Sequence, residues 1–337
     1  MLVSGNQIGV PQDLANFITL SDEHDTPMLK RFAKSKQGEI KQVLNEYQGD
    51  TYRSVRRSNM PEGKDWSSFP GQNQRGLLKA RINRFDATGS VSDLAEDVQQ
   101  VNGVPSEVAR RITQDLVVMG REKESWIGGD QAAFEGNEVI QNRGQSMGLW
   151  IQSGTTNQLY ETPSNLRPNS AQIYTGTKAN FHEDALNSLL QQAWKSTGRK
   201  DRLVGFVGPE LKKRVSSFSL YVPGSLSTIN TAHTSNRNLS DKAIERVIDV
   251  FAGDFGSVAL ELDNYLASSE FDSSGTAPED WRGYFVHPEM WDVTYHQMPK
   301  AEQLEFQGGN YKYGIYCYAR LRCLNPIGEV KVAPSDA

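Results

Sequence analysis

The chain holds 337 residues, 37% of them hydrophobic and 23% charged, with a formal net charge of −5. That is enough chain for one large or two ordinary domains with a real core, and the acidic balance excludes nucleic-acid binding by bulk charge. No apolar run approaches the roughly 18 residues that span a bilayer, and the opening MLVSGNQIGV has no signal-peptide pattern, so folding in a cytoplasm is expected.

Residues 1–36 carry turn and cap signals, Ser21, Asp22 and Asp25-Thr26-Pro27, around short apolar pieces. They read as an extended arm with one or two short helices. Residues 37–48 read as a strand with imperfect alternation. Residues 50–85 are polar and broken by Pro61, Gly63, Pro70 and Gly71, too poor in apolar side chains to make a core of their own. They carry eight basic residues (Arg53, Arg56, Arg57, Lys64, Arg75, Lys79, Arg81, Arg84) against Asp50, Glu62 and Asp65, a balance of +5. The next stretch, 86–107, carries Asp86, Asp93, Glu96, Asp97 and Glu107 and no base, a balance of −5. Such a pair of stretches is a first hint of contact between molecules, although on charge alone two solvated faces that differ is the commoner case.

A long helix is predicted over 105–127. Pro105 suits the first turn, Val108, Ile112, Leu116, Met119 and Trp126 or Ile127 fall on one face, and Gly128-Gly129 ends it. Residues 130–180 are rich in Gly, Asn, Gln, Ser and Thr around an apolar island, Gly148-Leu-Trp-Ile151. Asn180 with Glu183 predicts a capped helix start, with Leu186, Leu189, Leu190, Ala193 and Trp194 as the stripe and Gly198 as the stop. LVGFV (203–207) is a short buried strand, and Pro209 opens a helix that ends near Phe218. Residues 227–242 are a polar loop. Strands are expected over 244–252, 257–266 and 281–298, the last with a proline break. Residues 311–323 alternate strongly, and IGEVKVA (327–333) closes the chain as a strand. Cys317 and Cys323 share one face of a strand about 20 Å apart, which excludes a disulfide and gives no zinc site. The layout is α+β with its elements segregated along the chain.

The chemistry begins with Asp254-Phe255-Gly256 and Ala277-Pro278-Glu279, the frame of a kinase activation segment. The rest of that machinery is missing. Asn238 stands where the catalytic base belongs, Ala243 stands where the metal-binding Asn belongs, and there is no GxGxxG. DFG then reads as a structural turn between two strands, with Asp254 hydrogen-bonding the turn backbone and Phe255 packing. The five histidines are scattered without metal spacing. Glu261 and Asp263 fall on one strand face, which is more often a wet sheet face than a hydrolytic pair. No catalytic constellation and no cofactor site emerges.

The order of segments is more telling. The arm, the basic excursion, the long helix, the αβ middle and the β-rich end resemble the major capsid proteins of tailed bacteriophages, of the tailed-phage/herpesvirus capsid fold. The residues that carry this are Leu20-Ser-Asp with Asp25-Thr-Pro-Met-Leu29, Gly148-Leu149-Trp150, Asp254-Phe255-Gly256, His287-Pro-Glu-Met-Trp291 and Asn325-Pro326-Ile327-Gly328. The resemblance spans about 10–333.

It implies an N-arm over 1–36, a strand and extended loop over 37–85, and a peripheral domain with spine helix over 86–150. A mainly axial domain follows over 151–265, with a return to the β-rich peripheral region over 266–337. It implies no enzyme, no cofactor and no membrane. It implies instead a homo-oligomer of pentamers and hexamers forming an icosahedral shell in the virion, folded in the bacterial host cytoplasm. Portal, scaffolding and decoration proteins would be partners, and packaged double-stranded DNA would be met non-specifically. Arg53, Arg56, Arg57, Lys64, Trp66 and Arg75, facing Asp93, Glu96 and Asp97, are the expected contacts between subunits. The stretch Lys300-Ala-Glu-Gln-Leu-Glu305 is more acidic than the family pattern. No long charged helical segment precedes the arm, so scaffolding is expected from a separate protein or the sequence is a mature form. An enzyme or a binding module of αβ type is the alternative.

Overall fold

A computed structural model describes residues 25–33, 41–52, 63, 75–97, 106–138, 140–155, 159–199, 202–218, 248–266 and 280–334. Six α-helices and eleven strands lie within them, and the α+β class stands. No described helix is long and apolar enough to cross a membrane. Two compact units divide the chain. The larger comprises Thr26–Phe85, Gly120–Met298 and Cys317–Ala337; the smaller includes Asp86–Met119 and Pro299–Tyr316.

In the larger unit, α1 (Pro27–Phe32) starts on a proline whose missing N–H would find no helical partner anyway. Its Phe32 packs against Phe206 and Trp291, at ring distances of 5.5 and 6.0 Å. Strands β1 (Leu44–Gly49) and β2 (Gly76–Arg81) form an antiparallel ribbon, paired from Leu44↔Arg81 to Gly49↔Gly76. This ribbon brackets the stretch that the resemblance assigns to the extended loop. The expected strand at 37–48 therefore begins later; its first residues lie outside the described ones.

Strand β3 (Asn83–Ser92) leads to α2 (Asp93–Asp97) and then to α3 (Glu107–Gly128). The helix expected at 105–127 is this one, though Pro105 lies outside the described residues. Val108, Met119, Trp126 and Ile127 are buried as the spacing requires, but Leu116 is 37% exposed. The buried stripe passes through Lys123 and Glu124 instead, two charged positions that a hydrophobic template skips.

The helix expected from Asn180 is α5 (Glu183–Thr197), and its N-cap is His182 without a side-chain bond. Asn180 belongs to a preceding 3-10 turn. Phe181 is fully buried between the two, and Arg214 takes its carbonyl at 2.9 Å, which breaks the chain where a capping box would have continued it. A true capping box sits instead at Asn169 and Gln172. Gly198 ends α5 in the left-handed region, φ 69°, the conformation glycine adopts without penalty.

The largest sheet has the order β4 (Ile173–Tyr174), β11 (Val330–Val332), β8 (Gly283–Val286), β5 (Leu203–Val207), β7 (Gly256–Leu262), β6 (Val250–Gly253). Strand β5, buried at every residue, is central and runs parallel to β7 and antiparallel to β8. Helices α5 and α6 (Pro209–Ser216) bury Leu186, Leu189, Leu190, Leu211 and Val215 in one core with Val207, Val258, Phe285 and Val330 of the sheet. Strands from residue 173 to residue 332 thus share one sheet, so the elements are not segregated along the chain as the sequence suggested. A second sheet has the order β3, β10 (Asn310–Cys323), β9 (Trp291–Gln307). Cys317 and Cys323 are both buried free thiols.

The end of α3 is tied to the six-stranded sheet by a buried ionic node. Asp130 accepts from Arg282 at 2.6 Å and from Lys331 at 2.9 Å, and Lys331 also donates to the Gly148 carbonyl at 2.8 Å. The Tyr284 hydroxyl donates to the Gly128 carbonyl at 3.0 Å. Burial pulls the Lys331 ammonium below its ordinary value while Asp130 pulls the other way. Gly148, on the short α4 (Met147–Trp150), has no room for a side chain: a Cβ would stand 1.8 Å from the Asp130 carboxylate. The Gly-Leu-Trp segment therefore has a packing reason for its glycine. Asp130→Ala, which strands two buried cations, is expected to cost about 3–5 kcal/mol. Gly148→Ala is expected to cost about 1–3 kcal/mol by overpacking. Urea unfolding of the purified chain reads both.

Candidate assembly surfaces

The sequence-predicted contacts divide into three groups. Arg53, Arg56, Arg57, Lys64 and Trp66 lie outside the described residues. Arg75 is exposed at the loop root, 3.8 Å from Asp50. Further along the ribbon the basic residues are already answered within the chain: Lys79 meets Glu46 at 2.8 Å, and the buried Arg81 meets Glu135 at 2.8 Å. The +5 of the 50–85 stretch is thus partly spent at home.

Asp93, Glu96 and Asp97 are brought together on α2, in the smaller unit. Glu96 has an in-chain task, its Oε2 accepting from the backbone N–H of Glu107 at 2.9 Å and of Val108 at 3.1 Å, so it caps α3. A hydrogen bond from Ser106 and these two amides hold its carboxyl below the usual value. Asp93 and Asp97 lie beside Tyr311 and raise its phenol. The same unit exposes Leu94, Leu116, Val117, Val118, Leu304 and Phe306 and buries only Val91, Val108, Met119, Tyr313 and Ile315 among its large described apolar residues.

Asp254-Phe255 is the two-residue turn of the β6–β7 hairpin, closed by the pairing Gly253↔Gly256. Gly256 has φ 146°. The Phe255 ring packs 5.8 Å from that of Trp194. Asp254 is exposed, and the expected bond from its carboxylate to the turn backbone is not found among the described residues. Ala277-Pro278-Glu279 lies outside them.

Glu261 and Asp263 do not share a wet face. Glu261 pairs with Arg31 of α1. Asp263 is 2% exposed and lies beside Glu124. Glu124 caps α1 from outside, one carboxylate oxygen accepting from Met28 N–H at 2.6 Å and the other from Leu29 N–H at 2.8 Å. Burial raises the Glu124 carboxyl well above the carboxylate range, and the neighbouring Asp263 charge adds to this, against the two amides. Two coupled buried carboxyls resemble an acid–base pair. Their oxygens, however, serve backbone amides, with Asp263 Oδ1 accepting from Tyr265 N–H at 2.8 Å, and neither lines a described cavity. Glu124 fastens α1. The signal was available: an acid at position 124 between Met119 and Ile127 sits on the buried face of α3.

Phage capsid chains share this architecture. The capsid chain of cyanophage A-1(L) superposes with a TM-score of 0.64 at 10% identity, covering 96% of each chain. That of cyanophage P-SCSP1u gives 0.59 at 10% identity, covering 100% of this chain and 97% of its own. That of Myoviridae phage XM1 gives 0.52 at 11% identity, covering 99% of each. At such identities the likeness defines the fold, that of a phage capsid protein. No curated protein matches in sequence. The SU10 major capsid protein family matches residues 2–333, and the chain belongs to that family. It is a structural protein of the phage head and a virion component, not an enzyme.

Glu124 makes stability depend on pH with a definite sign. Its proton is held more tightly in the folded chain than in the unfolded one, where the carboxyl has its ordinary value of 4.5. The contribution is therefore complete below that value and fades as pH rises through neutrality. Thermal unfolding should show the chain more stable at mildly acidic than at alkaline pH, and Glu124→Gln should flatten the slope. Glu124→Ala should cost about 1–2 kcal/mol as a lost cap and speed tryptic cleavage at Lys30 and Arg31. Asp254→Ala should stay within about 0.5 kcal/mol.

Proposed function

We propose that this chain is the repeating subunit of a closed icosahedral head, built as pentamers and hexamers around packaged double-stranded DNA. The observation that carries the reading is the family match over residues 2–333, on a chain that has the capsid fold from end to end. Residues 1–36 act as the arm and 37–85 as the strand and extended loop. Residues 86–150 act as the peripheral domain, 151–265 as the main part of the axial domain and 266–337 as the returning β-rich region. Arg53, Arg56, Arg57, Lys64, Trp66 and Arg75 reach across a neighbour whose acidic surface includes Asp93 and Asp97. Complementary charge of this kind sets register more than raw affinity. DNA is met without sequence preference, in keeping with a net charge of −5. Portal and scaffolding proteins, and in some forms a decoration protein, complete the head, and the subunit folds in the host cytoplasm before assembly.

The test is expression of the chain with its neighbouring genes, followed by sizing and negative-stain microscopy. Closed particles or five- and six-membered rings are expected. Arg53→Glu, Arg56→Glu and Arg57→Glu together should impair particles while leaving the thermal unfolding of the monomer unchanged. A clean monomer that binds a small ligand saturably would contradict the reading.

A further inference from the structure

A cavity of about 480 Å³ opens at the root of the extended loop, in the larger unit. Its lining joins positive charge to exposed aliphatic surface. Lys41 and Val43 come from the approach to β1, Arg84 from β3, Ile140 from the turn after α3, His296 from β9 and Tyr318 from β10. The Arg84 guanidinium lies 6.0 Å from the Tyr318 ring centre, and the His296 ring meets the same ring edge-on at 6.1 Å. Val43 and Ile140 are 48% and 41% exposed. No carboxylate lines the cavity among the described residues. Cations beside uncovered aliphatic side chains suit an acidic segment that carries an apolar residue.

The chain displays such a segment. Helix α2 reads Asp93-Leu-Ala-Glu-Asp97, and its Leu94 is 74% exposed between the two terminal acids. Glu96 is committed to capping α3 and Asp93 also accepts from Tyr311, so the exposed Asp97, with Asp93 beside it, is the main carboxylate of the outward contact. Charge and shape thus correspond, an exposed leucine flanked by acids against an exposed valine and isoleucine flanked by bases. We propose that the cavity receives α2 of a second copy of this chain, with Leu94 between Val43 and Ile140 and with Asp93 and Asp97 against Lys41 and Arg84. This rests on the shell reading and deepens it. It extends the contact proposed along the loop to the loop's root.

Reciprocal charge reversal tests it. Assembly of the full chain is followed by light scattering and negative stain, and folding of each variant by thermal unfolding. Lys41→Glu with Arg84→Glu, and separately Asp93→Lys with Asp97→Lys, should each lower the assembled fraction about tenfold or more. Carrying all four reversals in one chain should restore assembly, since every copy then offers the complement its neighbour needs. Arg84 packs on Tyr318, so Lys41→Glu with Ile140→Asp, at two exposed rim positions, runs in parallel as a variant that leaves that packing intact. Wild-type assembly with insensitive variants on both sides, or no recovery in the fourfold variant, overturns the contact alone. Failure of the wild type to assemble overturns the shell reading and the contact with it.

Discussion

One carboxylate ties the end of α3 to the six-stranded sheet of the larger unit. Asp130 answers two cations that are almost wholly buried, Arg282 at the start of β8 and Lys331 on β11. Removing two positive charges from water costs several kcal/mol each, and only a close, hydrogen-bonded partner offsets it. The geometry around Asp130 is therefore obligatory. Helix α3 must end at Gly128, the Gly128 carbonyl must accept from Tyr284, and α4 must present a glycine where any Cβ would strike Asp130. Six residues earlier on the same chain, Glu124 fastens α1. The end of α3 and the residues just after it thus hold both the sheet and α1.

The smaller unit is built differently. Among its described large apolar residues more are exposed than buried, and α2 displays a leucine to solvent. Exposed apolar side chains grouped in this way are what an interaction surface offers, and the shell proposal assigns their burial to neighbouring subunits.

Much of this was legible in the sequence, and the exceptions have physical reasons. The alternation through Tyr313, Ile315, Cys317 and Ala319, the stripe of α5 and the all-apolar LVGFV are periodic signals, and all three became the predicted elements. The sheet order was not legible, because β4, β11, β8 and β5 are joined by tertiary packing that leaves no local trace. The capping box was misplaced because Asn180 and Glu183 have the right spacing but Phe181 between them is more stable buried. The arm's clamp was missed because Glu124 looks like a solvated helix residue until its partners, 95 and 96 residues away, are known. DFG was legible as a turn, although its aspartate does less than its position suggested.

Hydrogen exchange of the free subunit against the assembled particle tests the central claim most directly. A rigid larger unit and an under-built smaller one predict that amides of β5, β7 and β8 are protected in both states. Amides of 93–97 and 299–316 should exchange fast in the free chain and slow markedly on assembly. Equal protection of the smaller unit in both states would contradict the account.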